Sequence, residues 1–480
     1  MWHPILMING YVISILGLMM FIPAIVMKYI TGEFDFIFIQ SGIVSIFIGG
    51  SLFVANYSKI KNISILQGFL ITISCWYIAP LICAIPLYNN GDIKTVTDAI
   101  FEATSGITTT GASIIKDIES QPKSVLLWRA MLNSIGGIGI VIFAVALMPF
   151  LGIGGMNIFK KENSDTEDKF LPKIRDIAKD IILVYVILNI VCATLLKEFG
   201  MNWFDAISHA LSTVCTGGFS TKNTSIAWFN SIEIELIIIF FMILGALPLT
   251  YFVLLFKEKK ISFITSNPQV NTLFKLIIVY ILLFSLFFAL SKDIDFFKSL
   301  RIIGFNFVSA ITTTGFTSYN YITWGVWAPI VICALTLHGG CTGSTSGSIK
   351  IFRWQVVFGF LKKHTINALS PNQATVIKTG DKAVSNDIVA SVFVLVMSFI
   401  LAIFFFVTVL CLSGIDIVTA LGAVVGAITS FGPGLTEKTG PTGNYAEFSD
   451  FIKYVLAFVM VLGRLEVVTI ITLLAKLKLR

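Results

Sequence analysis

One short segment recurs four times in this chain, each time with about ten apolar residues before it and a longer apolar span after it. The copies are Ile107-Thr108-Thr109-Thr110-Gly111, Val214-Cys215-Thr216-Gly217-Gly218, Ile311-Thr312-Thr313-Thr314-Gly315 and Ile428-Thr429-Ser430-Phe431-Gly432. Four copies in one chain can close a ring from a single polypeptide. Rings of backbone carbonyls replace the water shell of a cation in selective pores. The final glycine of each copy can adopt the positive φ that turns carbonyls toward an axis.

The chain of 480 residues is 56% hydrophobic and 13% charged, with a mean hydropathy of +0.88. Soluble domains carry about 25% charged residues, so the composition indicates an all-α polytopic membrane protein. Crossing about 30 Å of hydrocarbon takes roughly 20 apolar residues. Ten segments qualify, near 5–28, 36–57, 64–88, 124–150, 178–198, 230–256, 272–291, 326–360, 388–413 and 450–476. The stretches near 98–107, 205–214, 302–311 and 419–428 are too short. Helices of that length measure about 15 Å, half the membrane, and are predicted to enter from outside and stop midway. Irregular backbone at that depth is tolerated only where protein or water covers it. The order span, short helix, repeated segment, span therefore occurs four times, after two leading spans. The predicted units are 1–62 (the two leading helices), 63–156, 157–260, 261–365 and 366–480.

Lysine and arginine cluster in a few connections: Lys160, Lys161, Lys169, Lys173, Arg175 and Lys179; Lys257, Lys259 and Lys260; Lys350, Arg353, Lys362 and Lys363; Lys476, Lys478 and Arg480. This is the bias of cytoplasmic loops, and it places both termini in the cytoplasm. The first apolar run has no basic stretch before it and reads as a retained span rather than a cleaved signal. The seven cysteines show neither metal-ligand spacing nor a disulfide framework. Gly136-Gly137-Ile138-Gly139 and Gly152-Ile153-Gly154-Gly155 lack the strand and acid of a dinucleotide site and read as helix packing. No catalytic set stands out and no cofactor is expected in the chain, which argues against an enzyme.

The short helices would aim the partial negative charge of their C-termini at one point, favouring a cation, while threonine and serine hydroxyls brace the loops. Glu102, on the first short helix, either attracts cations or holds the filter by hydrogen bonds. Asp98 and Asp205 fit as caps or first-turn acids. The eighth span is interrupted by Leu337-His338-Gly339-Gly340-Cys341-Thr342-Gly343-Ser344-Thr345-Ser346-Gly347-Ser348. Glycine costs a helix interior about 1 kcal/mol, so the helix is predicted to open here. Arg464 lies inside the last span, where an arginine must face the bundle interior or water. Glu466 cannot share its face and needs another partner.

The segments Ala103-Thr104-Ser105-Gly106-Ile107-Thr108-Thr109-Thr110-Gly111-Ala112-Ser113 and Ser309-Ala310-Ile311-Thr312-Thr313-Thr314-Gly315-Phe316-Thr317, set in four membrane–pore–membrane repeats, resemble the membrane subunits of the Trk/Ktr/HKT superfamily of potassium transporters. The two leading spans favour its Trk branch. The resemblance implies that Gly111, Gly218, Gly315 and Gly432 are selectivity glycines within a potassium-binding filter made of the four copies. Serine at the first of these goes with sodium passage in relatives. Phe431 and Pro433 in the fourth copy make the ring chemically asymmetric. The resemblance also implies that the segment containing Gly339, Gly340, Gly343, Ser344, Thr345, Ser346 and Gly347 is an intramembrane gate, with Arg464 projecting into the path. It further implies a homodimer and a cytosolic nucleotide-binding ring as regulator, so that any nucleotide acts through a partner subunit. Two readings of transport stay open: a gated, channel-like pore in the cytoplasmic (inner) membrane, or a symporter coupling potassium to sodium or protons. The lack of an obvious intramembrane carboxylate cluster favours the first.

Overall fold

The computed structural model describes residues 2–57, 65–151, 170–259, 265–370, 376–380 and 382–466. Lys160, Lys161, Lys169, Lys260, Gly152 to Gly155, the predicted unit boundaries at 62–63, 156–157 and 260–261, and the last span beyond Glu466 lie outside them.

The protein is an all-α polytopic membrane protein in which two leading spans precede four membrane–pore–membrane repeats. The first span combines the helices His3–Met19 and Phe21–Thr31. The second, Phe36–Asn56, is capped by Asp35, whose carboxylate accepts from the Ile37 N–H at 3.1 Å. Glycines let the two pack closely: a methyl group on Gly10 would lie 2.6 Å from the Gly49 carbonyl oxygen, and one on Gly17 would lie 2.9 Å from that of Gly42. Small residues serve helix contacts in lipid, where no hydrophobic force separates helix from solvent.

The repeats run Ile65–Ala84, Val96–Ile107, Lys123–Leu151; then Phe170–Glu198, Trp203–Val214, Ile232–Ala246; then Pro268–Lys292, Phe296–Ile311, Trp327–Thr336; then Asn386–Leu412, Ile417–Ile428, Asp450–Arg464. In the first, second and fourth the second helix is the shortest, at 12 residues; in the third, Phe296–Ile311 has 16 residues, longer than the stretch predicted near 302–311, and the broken Trp327–Thr336 has 10. The start of the second helix has a side-chain cap in every case: Thr95, Asn202, Asp295 and Asp416 accept backbone N–H groups of the first turn. Asp98 and Asp205 are first-turn acids rather than caps. Asp98 pairs with Lys453 at 2.6 Å, and Asp205 accepts from Thr221 Oγ1 at 2.7 Å.

Three of the four short helices end against glycines of the following span. Gly136 lies against the Ile107 carbonyl, Gly245 against that of Val214 and Gly463 against that of Ile428; a methyl group at any of the three would collide with that oxygen. Gly137 abuts Cys215 in the same way. The glycines at 136–137 thus pack helices, as expected.

One predicted span is corrected. The segment near 230–256 is not straight: Ile232–Ala246 and Leu249–Glu258 meet at 91°. Pro248 lacks an N–H, and proline pushes the residue before it out of the helical region; Leu247 has φ −86 and ψ 157. The eighth segment is broken as predicted, into Trp327–Thr336 and Ile351–Leu369. The two breaks complete each other. Cys341 N–H donates to Ala246 O at 2.9 Å, Thr345 N–H to Gly245 O at 3.2 Å, and Leu249 N–H to Gly343 O at 3.2 Å. Backbone groups freed by both interruptions find partners without water.

Gly136→Val overpacks the seat of the first short helix and is expected to cost about 1–3 kcal/mol. Gly139, which faces open space, is the control. Thermal unfolding of the purified protein should show a clear drop for Gly136→Val and little change for Gly139→Val.

Candidate functional site

Each short helix ends on the first residue of a repeated segment, and the four loops that follow share one backbone course. The third residue is left-handed in all of them: Thr109 (φ 54), Thr216 (φ 53), Thr313 (φ 58) and Ser430 (φ 58). This conformation costs an L-residue roughly 1–2 kcal/mol, so its recurrence marks a turn imposed by the surroundings. The fifth residue is left-handed too, and there it is glycine: Gly111 (φ 80), Gly218 (φ 75), Gly315 (φ 88) and Gly432 (φ 90).

The turn directs the loop N–H groups back onto the short helix. Thr110 donates to Ser105 O at 2.9 Å, Gly217 to Ser212 O at 2.8 Å, Thr314 to Ser309 O at 2.8 Å and Phe431 to Gly426 O at 3.0 Å. The hydroxyls of Thr108, Thr312 and Thr429 donate to carbonyls four residues earlier, at 2.7, 2.8 and 2.7 Å. Cys215 donates through Sγ to a carbonyl three residues earlier, Ser212 O, at 3.3 Å. At the third and fourth positions, among the described residues, no protein donor reaches the carbonyls of Thr109, Thr110, Thr216, Gly217, Thr313, Thr314, Ser430 and Phe431. All eight residues are buried.

The loops close in order around one axis. A methyl group on Gly111 would strike the Gly217 carbonyl oxygen; on Gly218, that of Thr314; on Gly315, that of Phe431; and on Gly432, that of Thr110. Copy one thus abuts copy two, two abuts three, three abuts four, and four returns to one.

A second belt ties together the segments leaving the loops. Glu102 accepts from Arg129 Nε at 2.7 Å, Ser113 Oγ at 2.9 Å and the Ile114 N–H at 2.9 Å. Arg129 also donates to Ser220 O at 3.2 Å, which joins copy one to copy two. Ile226 N–H donates to Thr317 O at 3.1 Å, Tyr321 O–H to Gly434 O at 2.6 Å, and Tyr445 N–H to Ser113 O at 2.9 Å. Of the two roles weighed for Glu102, the geometry gives it the second: its oxygens are committed to Arg129 and to the backbone beyond Gly111. Arg129 was not singled out in the sequence. It lies within a predicted span, so the rule that drew attention to Arg464 applies to it as well.

The interrupted eighth span lies against the other side of the ring. Thr345 Oγ1 reaches Val214 O at 3.2 Å and Thr216 Oγ1 at 3.3 Å. Ser346 Oγ donates to Thr312 O at 2.8 Å and Gly347 N–H to Thr313 Oγ1 at 2.9 Å. A methyl group on Gly347 would strike the Thr429 carbonyl. Copies two, three and four therefore all touch this segment. Gly339 (φ 68) and Gly343 (φ 87) supply its sharp turns, Gly340 O accepts from the Ile351 N–H at 3.0 Å, and Ser344 Oγ donates to Cys341 O at 2.6 Å. Arg464 is buried and donates through Nη1 to Thr345 O at 2.9 Å, with Nη2 3.5 Å from Gly136 O in the first repeat. No carboxylate pairs with it among the described residues. Glu466 instead pairs across helices with Arg353, at 2.6 Å. The structure thus brings all four copies, the segment from Gly339 to Gly347 and Arg464 into one site. His338 stands apart from it, its ring between Tyr280 and Trp354.

Arg129→Ala leaves Glu102 charged, buried and unpaired. Breaking such a pair costs about 3–5 kcal/mol, so the melting temperature of the purified protein should fall sharply. Glu102→Gln, which keeps an acceptor for the Ile114 N–H, should fall less.

The family model for TrkH cation transport proteins matches residues 35–478 of this chain. Among curated relatives, the Trk system potassium uptake protein TrkI of Halomonas elongata is 32% identical, over 98% of this chain and 96% of its own length. TrkH of the same organism is 31% identical, over 98% and 97%. TrkG of Escherichia coli is 31% identical, over 97% and 96%. The crystal structure of the potassium transporter TrkH from Vibrio parahaemolyticus superposes with a TM-score of 0.89 at 29% identity, covering 99% of this chain and 98% of that one.

Proposed function

The chain belongs to the TrkH family of cation transport proteins, and on that basis we propose that it takes up potassium through a selectivity filter made of its four loops. The observation that carries this reading is the set of eight buried carbonyls, at the third and fourth loop positions, that no donor reaches among the described residues. Buried carbonyls need a partner, and a dehydrated monovalent cation at the centre of the ring is such a partner. The short helices add the partial negative charge of their C-termini. Relatives that carry Trk potassium uptake in their names support the choice of ion.

In this reading the segment from Gly339 to Gly347 is the gate and the conformation described is a closed one. The support is contact: Thr345, Ser346 and Gly347 are buried against three of the four loops. Arg464 places a positive charge beside the gate and ties it to the first repeat through Gly136. Opening requires the gate to release Ala246, Gly245 and Leu249 as well, so the bent sixth span is part of what moves. Transport is channel-like, down the electrochemical gradient, across the cytoplasmic membrane with both termini inside. The five units read from the sequence are part of this proposal, although the helix Ile351–Leu369 runs across the boundary between the last two. A homodimer and a cytosolic nucleotide-binding ring complete the proposal, on the strength of the family resemblance.

Planar-bilayer recording of the purified protein tests this. Unitary currents that reverse at the potassium equilibrium potential are expected. A fixed ratio of potassium to sodium or protons would establish symport instead. Gly111→Ser forces a side chain into a left-handed position against the Gly217 carbonyl, a strain of roughly 1–2 kcal/mol. The potassium-to-sodium permeability ratio should drop about tenfold; an unchanged ratio argues against Gly111 in the filter. Arg464→Ala removes both a positive charge and the tether to Thr345 O, so rubidium uptake into liposomes should rise severalfold, by the order of one charged hydrogen bond. Lower uptake by folded protein would mark Arg464 as structural.

A further inference from the structure

The second loop differs from the others at its fourth position. Copies one, three and four carry Thr110, Thr314 and Phe431 there; copy two carries Gly217. The backbone does not demand glycine at this point, because the left-handed residues of that loop are Thr216 and Gly218. What excludes a side chain is Asn133. A methyl group on Gly217 would lie 2.6 Å from the carboxamide carbon and nitrogen of Asn133 and 2.9 Å from its Cβ.

Asn133 sits on the long helix of the first repeat and is completely buried. Its Nδ2 is 3.4 Å from Ser212 Oγ. Ser212 is the residue that anchors the second loop: its carbonyl accepts from Gly217 N–H at 2.8 Å, Gly218 N–H at 3.4 Å and Cys215 Sγ at 3.3 Å. In copies one and three the loop is instead braced from within, by hydroxyl pairs Thr108–Thr110 and Thr312–Thr314, both at 2.8 Å. Copy two has Cys215 and Gly217 at those positions and lacks the pair.

We propose that Asn133 is a positioning residue for the filter: its carboxamide fills the side-chain space above Gly217 and, from a neighbouring repeat, does for the second loop what an internal hydroxyl pair does for the first and third. It thereby sets the position of the Gly217 carbonyl that abuts Gly111, and with it the discrimination between potassium and sodium. This rests on the filter reading above.

The test is the potassium-to-sodium permeability ratio of the full chain reconstituted in liposomes. Asn133→Ala should lower the ratio about tenfold, and Gly217→Ser alone should lower it at least as much or abolish uptake. The double variant Asn133→Ala/Gly217→Ser, which exchanges one filler for another, should return to within about threefold of the wild type. Should Asn133→Ala not accumulate in the membrane, Asn133→Ser, whose side chain is too short to fill the space beside Gly217, replaces it with the same expectation. A wild type without potassium preference contradicts the filter reading itself. A selective wild type with either an unchanged Asn133→Ala ratio, a tolerated Gly217→Ser, or a double variant no better than its parents overturns the role of Asn133 alone.

Discussion

The structure depends on one constraint: non-helical backbone in the middle of a membrane must have every polar group answered. The left-handed residues Thr109, Thr216, Thr313 and Ser430 settle half of it, because they turn the loop N–H groups back onto the short helices. Among the described residues, the carbonyls at the third and fourth positions are then left without a protein donor. The glycine contacts from Gly111 round to Gly432 bring neighbouring loop backbones together and leave no room for a side chain at any of the four.

The flanking layers solve the same problem for the parts of the chain that are not in the ring. On one side, a belt of hydrogen bonds runs from Glu102 and Arg129 through Ser220, Thr317 and Tyr321 to Gly434, and back through Tyr445 to Ser113. On the other, the breaks at Pro248 and at Gly339 to Gly347 exchange backbone hydrogen bonds. The two layers differ in charge. Arg129 has a carboxylate and is fixed; among the described residues Arg464 has only carbonyl oxygens, and its Nε lacks a partner. A guanidinium held this way sits near the same partial negative charges that favour a cation in the ring. In the proposed mechanism it competes with the permeating ion, which suits a gate better than a strut.

Much of this was legible in the sequence. The four short helices, their order and the opening at Gly339 to Gly347 follow from segment length, glycine placement and repetition, which are local signals. Phe431 and Pro433 marked the fourth copy as different. Pairings between distant residues were not legible. Glu102 with Arg129 and Arg353 with Glu466 require knowing which helices adjoin. The bend at Pro248 was masked by continuous apolar composition on both sides of it. Gly217 was visible as a departure of the second copy, but its close approach to Asn133, in another repeat, was not.

A cation enclosed by the four loops would sit on the axis they surround. Rubidium scatters anomalously and resembles potassium in size, so crystals of this protein grown in rubidium locate the ion directly. Anomalous density is expected on the axis, bounded by the carbonyls of Thr110, Gly217, Thr314 and Phe431. Density confined to sites away from these loops, with the ring holding none, would contradict the filter reading.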